Sequence, residues 1–198
     1  SLEAPRAHRG GRERWSKVAY NSGELMVSNP SNPHSAEALA KGYSSRYAKV
    51  NATGVVLATI LATLATTLIS ASSSWTEGLI ILAAVGVGLL TADLITGLVH
   101  WGCDTWGTTE MPLLGPTLIR SFREHHVDPM SITRHDWAEI NGEACLAASP
   151  FLLALCWLGV DLLGTFGAWW ALSTTVAAMV TNQLHQWAHM RRPPRLVR

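Results

Sequence analysis

Four long apolar stretches, separated by polar segments, dominate the hydropathy pattern of the chain. A helix needs about 20 predominantly apolar residues to cross the hydrocarbon core of a bilayer. Each stretch approaches or exceeds that length, and short polar connections at 72–77 and 164–165 pair the stretches. The pattern predicts an all-α, polytopic membrane protein with about four transmembrane helices in two hairpins. These helices are expected at residues 52–72, 78–100, 144–163 and 166–187.

The polar segments divide the chain into three parts. Residues 1–50 are polar and basic, and we expect them to be largely flexible. Residues 51–190 form the predicted transmembrane domain, in which the polar segment 101–143 connects the two hairpins. Residues 191–198 form a basic tail, which we expect to be truncated.

The positive charges give this arrangement an orientation. An even number of spans places both ends of the chain and segment 101–143 on the same side of the membrane. All 15 Lys and Arg residues lie in these parts, and neither hairpin turn contains one. Because cytoplasmic loops carry an excess of Lys and Arg, we predict that this side is cytoplasmic. The membrane would be the endoplasmic reticulum in a eukaryote or the inner membrane in a bacterium.

Composition narrows the class of protein further. Charged residues make up 15% of the chain, whereas soluble domains carry about 25%. A net charge of +1 argues against a nucleic-acid-binding protein, which would carry a strongly basic surface. Cys103, Cys145 and Cys156 show no CxxC spacing, so we predict three free thiols.

Six of the eight histidines lie at or between the predicted cytoplasmic ends of the helices. His185 and His189 are four residues apart, a spacing that places two imidazoles on one helix face. His100 and Asp104 repeat this spacing at the end of the second stretch. Three more histidines and several carboxylates lie in segment 101–143. Together the six histidines predict a metal site at the membrane edge.

The donor types indicate which chemistry this site supports. Imidazoles and carboxylates without a thiolate cluster differ from structural zinc sites, which are rich in Cys. They suit iron with open positions for dioxygen, and such iron can oxidise an unactivated C–H bond of a lipid. A b-type haem between His100 and His185, in an electron-transfer protein, is an alternative that leaves four histidines unexplained. A divalent-metal transporter is another, although transport sites usually lie near the membrane midplane.

Several longer motifs resemble the plasmanylethanolamine desaturase family, which includes the plant plastid enzyme that desaturates palmitate in phosphatidylglycerol. The resemblance covers roughly residues 40–190. Its motifs are DLITGLVHW (93–101), DTWG (104–107), FREHHVDP (122–129), ITRHD (132–136) and TNQLHQWAH (181–189).

This resemblance implies a non-haem di-iron enzyme that uses dioxygen and electrons from a cytochrome b5-type donor. Its substrate would be a plasmanyl ethanolamine phospholipid, which becomes the vinyl-ether plasmalogen. By position, the implied iron ligands are His100, His125, His126, His135, His185 and His189. The implied catalytic carboxylates are Asp104, which is also a possible ligand, Glu124 and Asp128. The implied contacts to the lipid headgroup are Arg120, Arg123 and Arg134, for which ordinary positive-inside charge is an equal alternative.

The chain departs from the family in one respect. Family members continue past the last span with a further HxxHH-type motif that completes the iron site, and the sequence stops at Arg198 before such a motif. Either the sequence is a fragment, or the protein lacks part of the ligand set. The resemblance also leaves the exact lipid open, so a desaturase or hydroxylase of another acyl lipid is an alternative.

Overall fold

The computed structural model describes residues 35–195, and within that range the chain is helical with no β-strand. The all-α prediction is confirmed for these residues. The α-helices are α1 (Ala36–Lys41), α2 (Ser45–Ser72), α3 (Gly78–Trp106), α4 (Arg120–Val127) and α5 (Trp137–His189). Three short turns of other helix types connect them, at Trp75–Glu77, Gly115–Ile119 and Ser131–Arg134.

Three of these helical segments are long and apolar enough to cross a membrane: Ser45–Ser72, Trp75–Trp106 and Trp137–His189. Their polar side chains do not interrupt the apolar surface. Thr59 and Thr63, for example, donate their hydroxyl protons to carbonyl oxygens four residues earlier, at 2.8 Å each. Helices suit a bilayer because their polar groups are satisfied within the segment. A threonine-rich helix such as α2 therefore remains compatible with a lipid environment.

Helix α5 folds back on itself. Gly159 (φ 44°, ψ −152°) and Gly164 (φ 65°, ψ 169°) leave the helical conformation, and their positive φ angles are conformations that glycine adopts without steric cost. Asn141 and Gln183 consequently form a 3.1 Å hydrogen bond although 42 residues separate them. A straight helix would hold them about 63 Å apart. The reversal spans 159–164, so it begins earlier than the predicted turn at 164–165.

The two halves of α5 pack against both α2 and α3, and small residues bring these helices close together. Ala58, Ala65 and Ala168 are fully buried in the shared core. At Gly142 an added Cβ would lie 2.3 Å from the Cβ of Asn51, so no larger residue fits between α2 and α5. The outward faces stay apolar: many Leu, Ile and Trp side chains are exposed, including Trp157 at 86%. Such a surface is typical of a helix bundle that faces lipid.

The polar end of the bundle begins within the segment predicted to be flexible. Helix α1 and the first turns of α2 lie inside residues 1–50, and Ser35 caps α1 by accepting a hydrogen bond from the amide of Ala38. Residues 1–34, which we expected to be flexible, lie outside the described residues. So do residues 196–198 at the end of the tail. The three cysteines are free, as predicted.

Candidate metal centre

Three imidazoles converge at the end of α5. His125 of α4 meets His185 and His189, and the three ring centroids form a nearly equilateral triangle with sides of 4.8, 4.9 and 4.8 Å. The ring planes are nearly perpendicular to one another, at 77–79°, and the Nε2 atoms of His125 and His185 are 3.0 Å apart. One ligand atom from each residue lies within 4.8 Å of the others. We call these residues the three-histidine group.

A second set of donors lies beside the first. His100 and Asp104 of α3 meet His126 of α4, and both Nε2 atoms lie 3.2 Å from Oδ2 of Asp104. The Nε2 atoms of His100 and His126 are 3.3 Å apart. Phe122 stacks on the ring of His100 at 4.4 Å, which restricts the orientation of that imidazole. We call His100, Asp104 and His126 the histidine–aspartate group.

Local helix geometry explains why these side chains meet. Residues four apart lie on one helix face, which pairs His100 with Asp104 and His185 with His189. Consecutive side chains on a helix point about 100° apart, so His125 and His126 are directed toward different groups of donors. Each of them joins a different group, with ring centroids 6.1 Å apart. Helix α4 thus links the donors of α3 to the donors of α5.

The protonation state of His125 and two unpaired polar atoms favour the binding of a cation at these donors. Burial and then the neighbouring His185 and His189 lower the pKa of His125 to about 4, so its imidazole is neutral at neutral pH, the form that binds metals. Oδ1 of Asp104 and Nδ1 of His125 are buried without a hydrogen-bond partner. His126 and His185 are exposed, so each group has an open side.

The residues present fit a pair of bound metal ions. The two groups offer five imidazoles and one carboxylate, and a neighbouring cation would satisfy the unpaired oxygen of Asp104. Nitrogen and oxygen donors with open positions match the preferences of iron in oxygen-using sites. Neither group contains a cysteine, in contrast to structural zinc sites.

The structure places His135 apart from both groups, in a buried network of ionic side chains. Its Nε2 lies 3.0 Å from Oε1 of Glu124, and its Nδ1 lies 2.7 Å from Oε2 of Glu139. Arg120 completes the network with bonds of 2.9 Å to Glu124 and 3.1 Å to Glu139. Burial alone would lower the pKa of His135, but its hydrogen bonds to the two glutamates outweigh burial and raise the pKa to about 9. We call Arg120, Glu124, His135 and Glu139 the charged quartet.

The quartet contains three residues for which the sequence suggested other roles. Both ring nitrogens of His135 contact carboxylates, and His135 belongs to neither donor group. Glu124 is only 2% exposed and bonds to Arg120 and His135 rather than to the donors. Arg120 is 4% exposed and donates to the carbonyl of Leu39 in α1. A buried ion requires such partners because desolvation is costly.

The remaining predicted residues, Arg123, Asp128 and Arg134, lie outside both donor groups. Arg123 donates to the carbonyl oxygens of Asp104 and Gly107, at 3.2 and 3.0 Å, and so ties α4 to the end of α3. Asp128 accepts from the amide of Met130 and pairs with Arg134. Of the three arginines expected at a headgroup, Arg134 is the exposed one, at 60%.

A chain of buried amides beside the donors was not predicted from the sequence. Asn141 donates to Gln183 at 3.1 Å, and Gln183 donates to Gln186. Gln186 in turn donates to the carbonyl oxygens of Ile132 and His135, at 2.9 and 3.1 Å. The signal for this chain was the clustering of amide side chains around the histidines of α5, since apolar helices rarely carry them without partners.

Comparison with known proteins identifies the family. A family model described as the lipid desaturase domain matches residues 89–198, which is more than half of the chain. The chain belongs to the lipid desaturase family. The matched part contains both donor groups and the charged quartet, and the resemblance inferred from the sequence motifs is confirmed.

Curated relatives support the same assignment. The chain is 48% identical over 125 residues to the plasmanylethanolamine desaturase of Myxococcus xanthus, covering 60% of this chain and 42% of that protein. It is 40% identical over 121 residues to plasmanylethanolamine desaturase 1 of Mus musculus, covering 58% and 45%. Fatty acid desaturase 4, chloroplastic, of Arabidopsis thaliana is 33% identical over 104 residues, covering 52% and 30%. The chain therefore spans less than half the length of these relatives. No solved structure matches it.

Proposed function

We propose that this protein is an iron- and dioxygen-dependent membrane lipid desaturase that introduces the vinyl-ether double bond of plasmalogens into plasmanyl ethanolamine phospholipids. The observation that carries the proposal is the convergence of histidine nitrogens at the polar end of the apolar bundle, with His125 and His185 3.0 Å apart. The names of the two relatives with the higher identities given above support the choice of substrate. Both describe enzymes that act on plasmanylethanolamine.

The proposed reaction removes one hydrogen from each of the first two carbons of the ether-linked alkyl chain. With dioxygen, two electrons and two protons from an external donor, it yields one C=C bond and two waters. Bound iron supplies the oxidising power for this step. The three-histidine group would hold one iron and the histidine–aspartate group the other. Burial keeps His125 neutral and able to bind, and Phe122 restrains the ring of His100 by stacking on it.

The membrane arrangement follows from the fold and the charge pattern. We propose that the folded-back helix α5 crosses the membrane twice, so that with α2 and α3 the protein makes four crossings. The donor groups would then lie on the cytoplasmic face, where a cytochrome b5-type protein could deliver electrons. In a eukaryote this membrane would be the endoplasmic reticulum, and in a bacterium the inner membrane.

Two alternatives can be weighed against the geometry. A haem held by His100 and His185 requires these two imidazoles to face each other across the porphyrin. Instead, Nε2 of His100 lies against His126 and Nε2 of His185 lies against His125. Another acyl lipid as substrate remains the main alternative, because the donor groups would support the same oxidation on a different chain.

The test is a reconstituted assay with the full-length protein in lipid nanodiscs. Iron content is measured first, and then the protein is supplied with dioxygen, a cytochrome b5 reducing system and plasmanyl ethanolamine lipid. Mass spectrometry detects the loss of two hydrogens, and acid treatment releases an aldehyde only from a vinyl ether. We expect about two irons per chain and an acid-labile product. The His185→Ala variant should form no product.

The lipid substrate decides between the proposal and its main alternative. A parallel reaction uses diacyl phosphatidylethanolamine, which carries the same headgroup but no alkyl ether. Desaturation of the diacyl lipid alone would overturn the plasmalogen assignment while leaving a desaturase. Absence of bound iron in a folded protein, or a haem absorption band, would overturn the mechanism.

A further inference from the structure

The loop between α4 and α5 contacts every element that carries the donors of the three-histidine group. The ring of His135 binds Glu124 of α4 and Glu139 at the start of α5. Its carbonyl oxygen accepts a hydrogen bond from Gln186 near the end of α5. Glu124 immediately precedes His125, and Gln186 immediately follows His185. One residue therefore connects the neighbours of two donors that come from distant parts of the chain.

We propose that His135 is a positioning residue, which holds α4 and the second half of α5 in the mutual orientation that brings His125 to His185 and His189. This inference rests on the proposed role of these three histidines as metal ligands. It assigns His135 a role different from that of the five histidines in the two donor groups.

Burial and chemistry support this assignment. His135 is 15% exposed at its side chain, and its partners Glu124 and Glu139 are 2% and 12% exposed. Two carboxylates within 3.0 Å hold both ring nitrogens as donors, which leaves no lone pair for a metal. The hydrogen bonds from Gln186 to the carbonyl oxygens of Ile132 and His135 are partly buried. If they are broken, water replaces them only in part, which costs free energy.

The positioning effect acts through helix rotation. Helix α4 has only eight residues, so its own hydrogen bonds fix its orientation weakly. The bond from Glu124 to His135 and the bond from Gln186 to the loop restrain α4 and α5 against the same short segment. Groups that orient ligands in this indirect way typically change metal affinity about 10- to 100-fold when removed.

The experiment titrates the full-length protein in detergent with Co²⁺, whose visible absorption reports the ligand set. His135→Lys keeps a cationic donor for the two glutamates but cannot bind metal while protonated. We expect it to match the wild type in stoichiometry and in the spectrum at saturation. His135→Ala should bind Co²⁺ at least about tenfold more weakly yet reach the same saturated spectrum. His189→Lys is the matched control that removes a proposed ligand, and it should lose bound Co²⁺ or change the spectrum.

Two results would overturn the inference alone. A His135→Lys protein that is folded but loses Co²⁺ as His189→Lys does would make His135 a ligand. A His135→Ala protein that binds as tightly as the wild type would remove its positioning role. A folded wild type that binds no Co²⁺ would instead overturn the proposed function and this inference with it.

A second variant keeps the test decisive if the lysine variant does not fold. Gln186→Met preserves the length of the side chain but cannot donate to the loop carbonyls. We expect the same weakening of Co²⁺ binding, again without a change in the saturated spectrum. Leu184→Met, at an exposed position of the same helix, should bind as the wild type does. Unchanged affinity in Gln186→Met would contradict the proposal.

Discussion

The two sides of helix α4 both carry ionisable side chains, but the contacts of these side chains differ. On one side, His125 and His126 meet other imidazoles and leave Nδ1 of His125 without a partner. On the other side, Arg120 and Glu124 enter the charged quartet, where each side chain is matched by an opposite charge. The first side is half open and ready to receive a cation. The second side is closed by its own ion pairs.

His125 and His135 show how the neighbours of a histidine determine its charge. Burial among imidazoles lowers the pKa of His125 to about 4, whereas two glutamates raise the pKa of His135 to about 9. At neutral pH the imidazole of His125 is neutral and that of His135 is a cation. The neighbours of a histidine, rather than its presence in a motif, therefore decide whether it can bind metal.

Removal of a donor from the open side should have the largest effect. We expect His185→Ala to reduce desaturase activity by at least about a hundredfold, because even groups that only orient ligands change metal sites by up to that amount. Iron content should fall, while thermal unfolding changes little because His185 is exposed. Product formation by mass spectrometry and iron content are the measurements. Wild-type activity in this variant would remove the three-histidine group from the mechanism.

Removing one ion-pair partner from the charged quartet should lower the free energy of unfolding. Glu124→Gln leaves Arg120 and His135 with one carboxylate partner fewer in a buried site, and such breaks cost about 3–5 kcal/mol. Replacing both members, as in Arg120→Met with Glu124→Leu, should cost less, since no buried charge is left unpaired. Chemical unfolding in detergent compares the two. Equal stability of Glu124→Gln and the wild type would contradict the closed, buried character of the quartet.

A rise in pH should reduce the stabilisation that His135 contributes to the charged quartet. The folded pKa of His135, about 9, exceeds its ordinary value of 6.5. Its stabilising contribution is therefore complete below about pH 6.5 and is lost as the pH rises through about 9. We expect the stability difference between the wild type and His135→Gln to shrink over that interval. A difference that stays constant up to about pH 10 would show that His135 is not held as a cation.

The exposed arginine should have the smallest effect on stability. Arg134 pairs with Asp128 at the surface, and exposed pairs contribute about 0–1 kcal/mol. Arg134→Gln should therefore unfold within about 1 kcal/mol of the wild type. Arg120→Gln, at a buried position, provides the comparison and should lose several times more. A large loss in Arg134→Gln would mean that this arginine belongs to the closed network.

The features that depend on local helix geometry, namely the apolar spans and the residues that share one helix face, were predictable from the sequence. Runs of about 20 apolar residues identify candidate spans, and the spacing of four residues pairs His185 with His189 on one helix face. The reversal within α5 was predicted near its correct place, but its start at Gly159 was not. Inside an apolar stretch a glycine that turns the chain looks the same as a glycine that allows close packing.

The contacts of His135 could not be predicted in this way. Its spacing to Glu139, and that of Arg120 to Glu124, are both four residues and were visible in the sequence. What the sequence could not give is the side of α4 that faces α1 and the start of α5, because tertiary packing fixes that rotation. The amide chain through Gln183 and Gln186 depends on the same packing.

Anomalous diffraction at the iron absorption edge, from crystals of the full-length protein grown in lipid, would show directly whether the two donor groups bind iron. We expect two iron peaks. One should lie among His125, His185 and His189, and the other among His100, Asp104 and His126, with Glu124 and Glu139 still bonded to His135. An iron peak bound by His135, or the lack of iron at either donor group in crystals soaked with Fe²⁺, would contradict this expectation.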